Sequence, residues 1–165
     1  MAAVRDLSST VKSVINNILR DFPHVERLRK EQEDCVTNLV NGKDVFAILP
    51  TGFGKSLIFQ LFPRVMSAMN EKDDAVSTII VVSPLVAIMK DQVDQLKKIG
   101  VSATAIGIDE DDMDQEAAKN GKCEIVYGSP ESWLSKVWRK QLQEGQLGMQ
   151  TVAIAINEVH SITEW

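Results

Sequence analysis

Leu49-Pro50-Thr51-Gly52-Phe53-Gly54-Lys55-Ser56 has the residue types and spacing to hold a phosphate. Phosphate binding needs consecutive backbone N–H groups pointing into one concavity, and Gly52 and Gly54 stand where a side chain would block the approach or where φ must be positive. Lys55 supplies a point charge to the outer phosphates, Ser56 a hydroxyl for Mg²⁺, and a following helix its positive end. The strict pattern has Gly where this chain has Leu49, so the motif is a variant. Taken alone, the stretch is also compatible with an ordinary Gly-containing strand-to-helix turn.

Hydrolysis of a nucleoside triphosphate needs a held metal and an oriented water, commonly from acidic residues at a neighbouring strand end. Ile154-Ala155-Ile156-Asn157-Glu158-Val159-His160 is the best candidate, with Glu158 as the acid and Asn157 where an Asp would hold the metal. The acidic run Asp109 to Asp112 does not suit Ca²⁺. Counted from Asp109, the sixth and twelfth positions are Asp114 and Asn120, where an EF-hand loop needs Gly and Glu. The run reads instead as a helix start, favoured by the macrodipole.

The elements that must position these residues follow from periodicity. Val11, Val14, Ile15, Ile18, Leu19 and Phe22 predict a packing helix capped by Ser8-Ser9-Thr10 and stopped by Pro23. Leu28, Cys35, Val36, Leu39 and Val40 predict a second, ending at Gly42. Val45 to Leu49 reads as a short buried strand entering the glycine loop, and Lys55 onward as a helix kinked at Pro63. Further strands are predicted at Thr78 to Val82, Ser102 to Ile106, Cys123 to Tyr127 and Thr151 to Ile156. Helices fall between them: Leu85 to Gly100, with Ser83 as cap and Pro84 at the first position, then Met113 to Lys119, then around Trp133 and Trp138. The alternation implies a mostly parallel sheet with ligands at the strands' carboxyl ends, at Pro50-Thr51-Gly52, Ser83-Pro84, Ser129-Pro130 and Asn157-Glu158. Trp133 and Trp138 are expected to pack.

With 165 residues, 44% hydrophobic and 25% charged, the chain suits one globular domain with a real core. A net charge of −5 argues against a free-standing electrostatic nucleic-acid binder, though local basic patches remain compatible. Cys35 and Cys123 have no metal-ligand spacing, which fits a reduced intracellular chain. No secretory signal is visible, and Val76 to Met89 is too short to span a bilayer.

Together these motifs resemble the RecQ-type DNA helicases of superfamily 2. LPTGFGKSLIFQL is similar to the family's ATP-binding motif, whose Leu-Pro-Thr lead accounts for the missing first Gly. LRKEQ resembles the upstream motif, and assigns Gln32 and Arg29 to the adenine and ribose side of ATP. VVSPLVAIMKDQVDQL and YGSPESWL resemble motifs bordering the nucleic-acid path. NEVHSITEW resembles the Asp-Glu-Ala-His box and the start of the aromatic loop that couples DNA contact to hydrolysis. The resemblance implies a three-layer α/β/α RecA-like P-loop lobe over 26–165, preceded by a packing helix in 1–25. It implies ATP and Mg²⁺ as cofactors and single-stranded or forked DNA as partner, with 3′ to 5′ unwinding in repair and recombination and a nuclear, intracellular setting.

The same resemblance assigns Glu158, Lys55 and His160 to catalysis, and Arg29, Gln32, Thr51, Gly52, Phe53, Gly54, Lys55 and Ser56 to the nucleotide. Ser56 and Asn157 fall to the metal, and Ser83, Pro84, Ser129, Pro130 and Trp165 to DNA. Two departures bear on activity. Asn157 lacks the charge that holds hydrated Mg²⁺, and Val25 stands where the family has an adenine-stacking aromatic. The sequence also stops at Trp165, before the family's second lobe with its arginine finger, so the 165 residues are expected to bind ATP weakly and not to unwind DNA alone. A non-hydrolysing interaction module is the alternative. A GTPase or small-molecule kinase ranks last, because no Asn-Lys-x-Asp signature or lid-like Arg cluster is present.

Overall fold

The computed structural model describes residues 2–70, 76–108 and 112–158. The chain divides into two compact units, Met1–Asp73 and Asp74–Trp165.

The first unit is helical. It contains α1 (Ala2–Ile18), extended by a 3-10 turn at Leu19–Asp21, then α2 (Lys30–Val40) and α3 (Lys55–Met69). Val11, Ile15, Leu19 and Phe22 are buried along one stripe, and α1 and α2 both pack on α3. The N-terminal helix therefore belongs to the same unit as the glycine loop. Ser8-Ser9-Thr10, expected to cap α1, lie inside it. Continuation of a packed helix outweighs the modest preference of hydroxyl residues for caps. The expected ends hold: Phe22 N donates to Leu19 O at 3.0 Å ahead of Pro23, and Gly42, at φ 73°, follows α2. Pro63 is buried within α3, which runs on past it for six more residues to Met69. Arg64 of α3 pairs with Asp21 at 2.9 Å, a partly exposed bridge of modest worth.

Val45 to Leu49, expected as a buried strand, carries no strand ladder, and Phe46 and Ile48 are 74% and 82% exposed. An apolar β-branched run favours a pleated surface but does not encode the neighbour that accepts its hydrogen bonds. Four strands rather than five make up the sheet among the described residues.

The second unit is built on that sheet, with β1 (Thr78–Val82), β2 (Ala103–Ile106), β3 (Ile125–Gly128) and β4 (Thr151–Ile156) in the order β2-β3-β1-β4. Every pairing is parallel. Parallel neighbours need crossovers. These are α4 (Val86–Lys98), α5 (Asp112–Lys119), and the series α6 (Pro130–Leu134), α7 (Lys136–Glu144) and α8 (Gln146–Gln150). The fold is therefore α/β with a parallel sheet, consistent with a RecA-like lobe. Helix α4 starts at Val86, later than the Ser83-Pro84 start expected, because Ser83 N still donates to Gly128 O at 3.0 Å and so prolongs the strand edge. Helix α8 had no sequence signal, since five residues are too few to display a period.

Trp133 and Trp138 pack as expected. Their rings meet edge-on at 5.8 Å and 74° in a core cluster with Ile80, Ile106, Val126 and Leu147. Cys123 joins this cluster, and burial pushes its thiol up to about 11, helped by Asp114. No helix among the described residues is long and apolar enough to cross a membrane.

Candidate nucleotide site and strand-end cluster

In the first unit the fold brings Arg29 and Gln32 onto the glycine loop. Gln32 lies in the first turn of α2, which carries it to the loop 21 residues away in sequence. Its Nε2 donates to Phe53 O at 3.1 Å and to Gly54 O at 2.9 Å, while its Oε1 accepts from Arg29 N at 2.9 Å. Both amide hydrogens are thereby used, and one acceptor lone pair remains. The Arg29 guanidinium stands 4.3 Å from the Phe53 ring centroid, a cation–π contact.

The loop itself turns at Pro50–Phe53, where Phe53 N donates to Pro50 O at 3.1 Å. Gly52 and Gly54 hold φ of 79° and 82°, and a Cβ on Gly54 would come within 2.8 Å of Gln32 Nε2. Both glycines therefore do the conformational work expected of them. Gly54 caps α3, so Lys55 and Ser56 open a 15-residue helix with its positive end at the loop. Lys55 Nζ donates to Leu49 O at 3.0 Å. Thr51 lies in the turn and is exposed.

In the second unit, Gly128, Val82 and Ile156 share one rung of the sheet. Ser83, Ser129 and Asn157 each follow that rung, so three expected site positions meet at one edge. Asn157 N donates to Val82 O at 2.9 Å. Glu158 comes next with φ of 58°, a left-handed conformation costing a non-glycine residue roughly 1–2 kcal/mol. Such strain clusters at functional sites, and nothing in a run of residue types would have revealed it. Ser129 accepts from Ser132 N at 3.2 Å as the cap of α6, with Pro130 at the first helical position. His160 and Trp165 lie outside the described residues.

Ser83 is only 1% exposed, and its Oγ has no hydrogen-bond partner among the described residues. The surface at this strand end is instead offered by Leu85 and Val86, which are exposed. Burying an unpaired hydroxyl costs about 1–3 kcal/mol. Ser83→Ala should therefore hold or raise stability, by up to about 2 kcal/mol, as read from the urea midpoint at unchanged slope.

Taken separately, the Ser56 hydroxyl in the first unit and the Asn157 amide oxygen in the second are each of the hard-oxygen kind that suits Mg²⁺, and neither brings charge. Either neutral oxygen alone would hold the ion weakly.

A family model described as DEAD/DEAH box helicase matches residues 29–165. The chain belongs to that family. It is 29% identical over 165 residues to ATP-dependent DNA helicase Q1 of Pongo abelii, covering 96% of this chain and 23% of that protein. ATP-dependent DNA helicase RecQ of Haemophilus influenzae is 28% identical, with 90% and 23% covered. ATP-dependent DNA helicase hus2/rqh1 of Schizosaccharomyces pombe is 32% identical, with 93% and 12% covered. Within the family, then, the chain is a RecQ-type lobe, and it spans less than a quarter of the length of these relatives.

Proposed function

We propose that this chain is the ATP-binding lobe of a RecQ-like, ATP-dependent DNA helicase, and that it holds ATP while hydrolysing it poorly. The observation that carries the reading is the bonded set of Gln32, Arg29 and the loop at Phe53-Gly54, next to Lys55 and Ser56. The loop amides and Lys55 take the phosphates, with Nζ exchanging Leu49 O for phosphate oxygen. The remaining Oε1 lone pair of Gln32 suits the amino group of adenine. Mg²⁺, when bound, would supply charge neutralisation on the phosphates. By the family resemblance, Ser56 and Asn157 would each offer it an oxygen, and Glu158 would orient and deprotonate the attacking water. The DNA path runs over the strand ends at Pro84, Ser129 and Pro130, with His160 and Trp165 coupling strand contact to hydrolysis. In the full-length protein the work is unwinding of single-stranded or forked DNA junctions, 3′ to 5′, in the nucleus.

The test is calorimetric titration of the chain with ATP, alongside DNA-stimulated ATP turnover. ATP binds with turnover far below that of a complete helicase; a complete helicase's rate, or no ATP binding, overturns the reading. Asn157 specifically favours a second reading, a module that binds nucleotide without hydrolysing it. Asn157→Asp in a chain joined to a second lobe separates the two. Restored carboxylate support is expected to raise Mg²⁺-dependent turnover ~10–100-fold if this is a helicase lobe, and to leave it unchanged if it is a binding module.

A further inference from the structure

We infer that the Phe53 ring is a positioning residue for the nucleobase, holding the Arg29 guanidinium from one side so that its other face receives a purine. The inference rests on the ATP-binding reading and adds a side-chain role to a residue whose backbone alone serves the loop. A guanidinium is planar and weakly hydrated, and it stacks on aromatic faces. Here the guanidinium carbon lies over the Phe53 ring, 4.3 Å from its centroid. Arg29 is exposed, and among the described residues it makes no ion pair, so no carboxylate competes for it.

The stack is built into the loop. Gln32 binds the backbone carbonyls of Phe53 and Gly54 and, through Oε1, the backbone N–H of Arg29. These bonds set the ring and the guanidinium on one small frame, two residues ahead of Lys55. A base stacked on Arg29 would thus belong to the same ligand whose phosphates meet the loop. Val25, at the position expected to carry a stacking aromatic, offers no π-face. The ring of Phe53 compensates from the other side, by fixing Arg29 rather than by touching the base.

Because Gln32 reaches the carbonyl of Phe53 and not its side chain, Phe53→Leu removes the π-face while keeping the loop's acceptors and much of the volume. The experiment titrates the whole chain and its Phe53→Leu and Phe53→Trp variants with ATP and, separately, with inorganic tripolyphosphate. Expected are a threefold to tenfold loss of ATP affinity in Phe53→Leu (about the range of one cation–π contact), unchanged tripolyphosphate affinity, and ATP affinity retained in Phe53→Trp. Equal losses for both ligands in Phe53→Leu, or no loss for ATP, overturn the inference. Wild type binding ATP no more tightly than tripolyphosphate overturns it too and leaves the phosphate loop standing. Wild type binding neither ligand removes the ATP-binding reading and this inference with it. The Arg29 Nε–H resonance supplies a ligand-free check: ring-current shielding is present in wild type and Phe53→Trp and lost in Phe53→Leu, and its absence from wild type counts against the stack.

Discussion

Lys55→Ala lowers ATP affinity by about 10-fold to 150-fold, the equivalent of one hydrogen bond to a charged group, roughly 1.5–3 kcal/mol. The ammonium donates to Leu49 O at 3.0 Å, a single backbone carbonyl that phosphate oxygens outmatch in charge. Removing it takes away an attraction the ligand gains and one contact the fold can spare. Stability should therefore move by less than about 1 kcal/mol while binding falls, a split that calorimetry and urea denaturation read together. Lys55→Arg should recover only part of the loss, since a planar fork does not replace a compact point charge. Unaltered ATP affinity in Lys55→Ala would take the loop out of the nucleotide site.

Trp133→Ala destabilises the second unit by about 3–5 kcal/mol, a large share of the 5–15 kcal/mol that holds a typical domain. Trp133 is 5% exposed, its Nε1 donates to Val81 O at 3.3 Å, and its ring meets Trp138 edge-on. Truncation leaves a cavity among Ile80, Ile106 and Val126 beneath the strand end that leads to Ser129. Trp133→Phe keeps most of the apolar volume and loses the N–H, so its cost should be well under half as large. The drop in urea midpoint checks both. A loss under 1 kcal/mol for Trp133→Ala would mean that this cluster is not the core of the unit.

Much of the fold was legible in residue periodicity. The stripe at Val11, Ile15, Leu19 and Phe22, the β-branched run at Thr78 to Val82 and the alternation of helices with strands each buried the residues they should, because burial depends on a local period. The loop's conformation was legible where backbone geometry demands a residue type, as at Gly52 and Gly54, whose positive φ excludes most others. The site was not legible where a role depends on an unseen partner. Val45 to Leu49 has the composition of a strand and no ladder. Ser83 has the look of a cap and surface contact, yet it is buried beyond the last rung of the sheet.

By residue type and spacing alone, this protein was determined to be an α/β chain with a glycine-rich loop before a helix, a glutamate after its last strand, and asparagine where a metal-holding aspartate is expected. Only the tertiary structure decided that Gln32 grips the loop's carbonyls, that Lys55 rests on Leu49 O, that Arg29 lies over the Phe53 ring, and that Glu158 sits at positive φ. The reason is physical. Periodicity and turn chemistry act over a few neighbouring residues, whereas hydrogen-bond partners, stacking and strain are set by groups that meet only once distant segments pack.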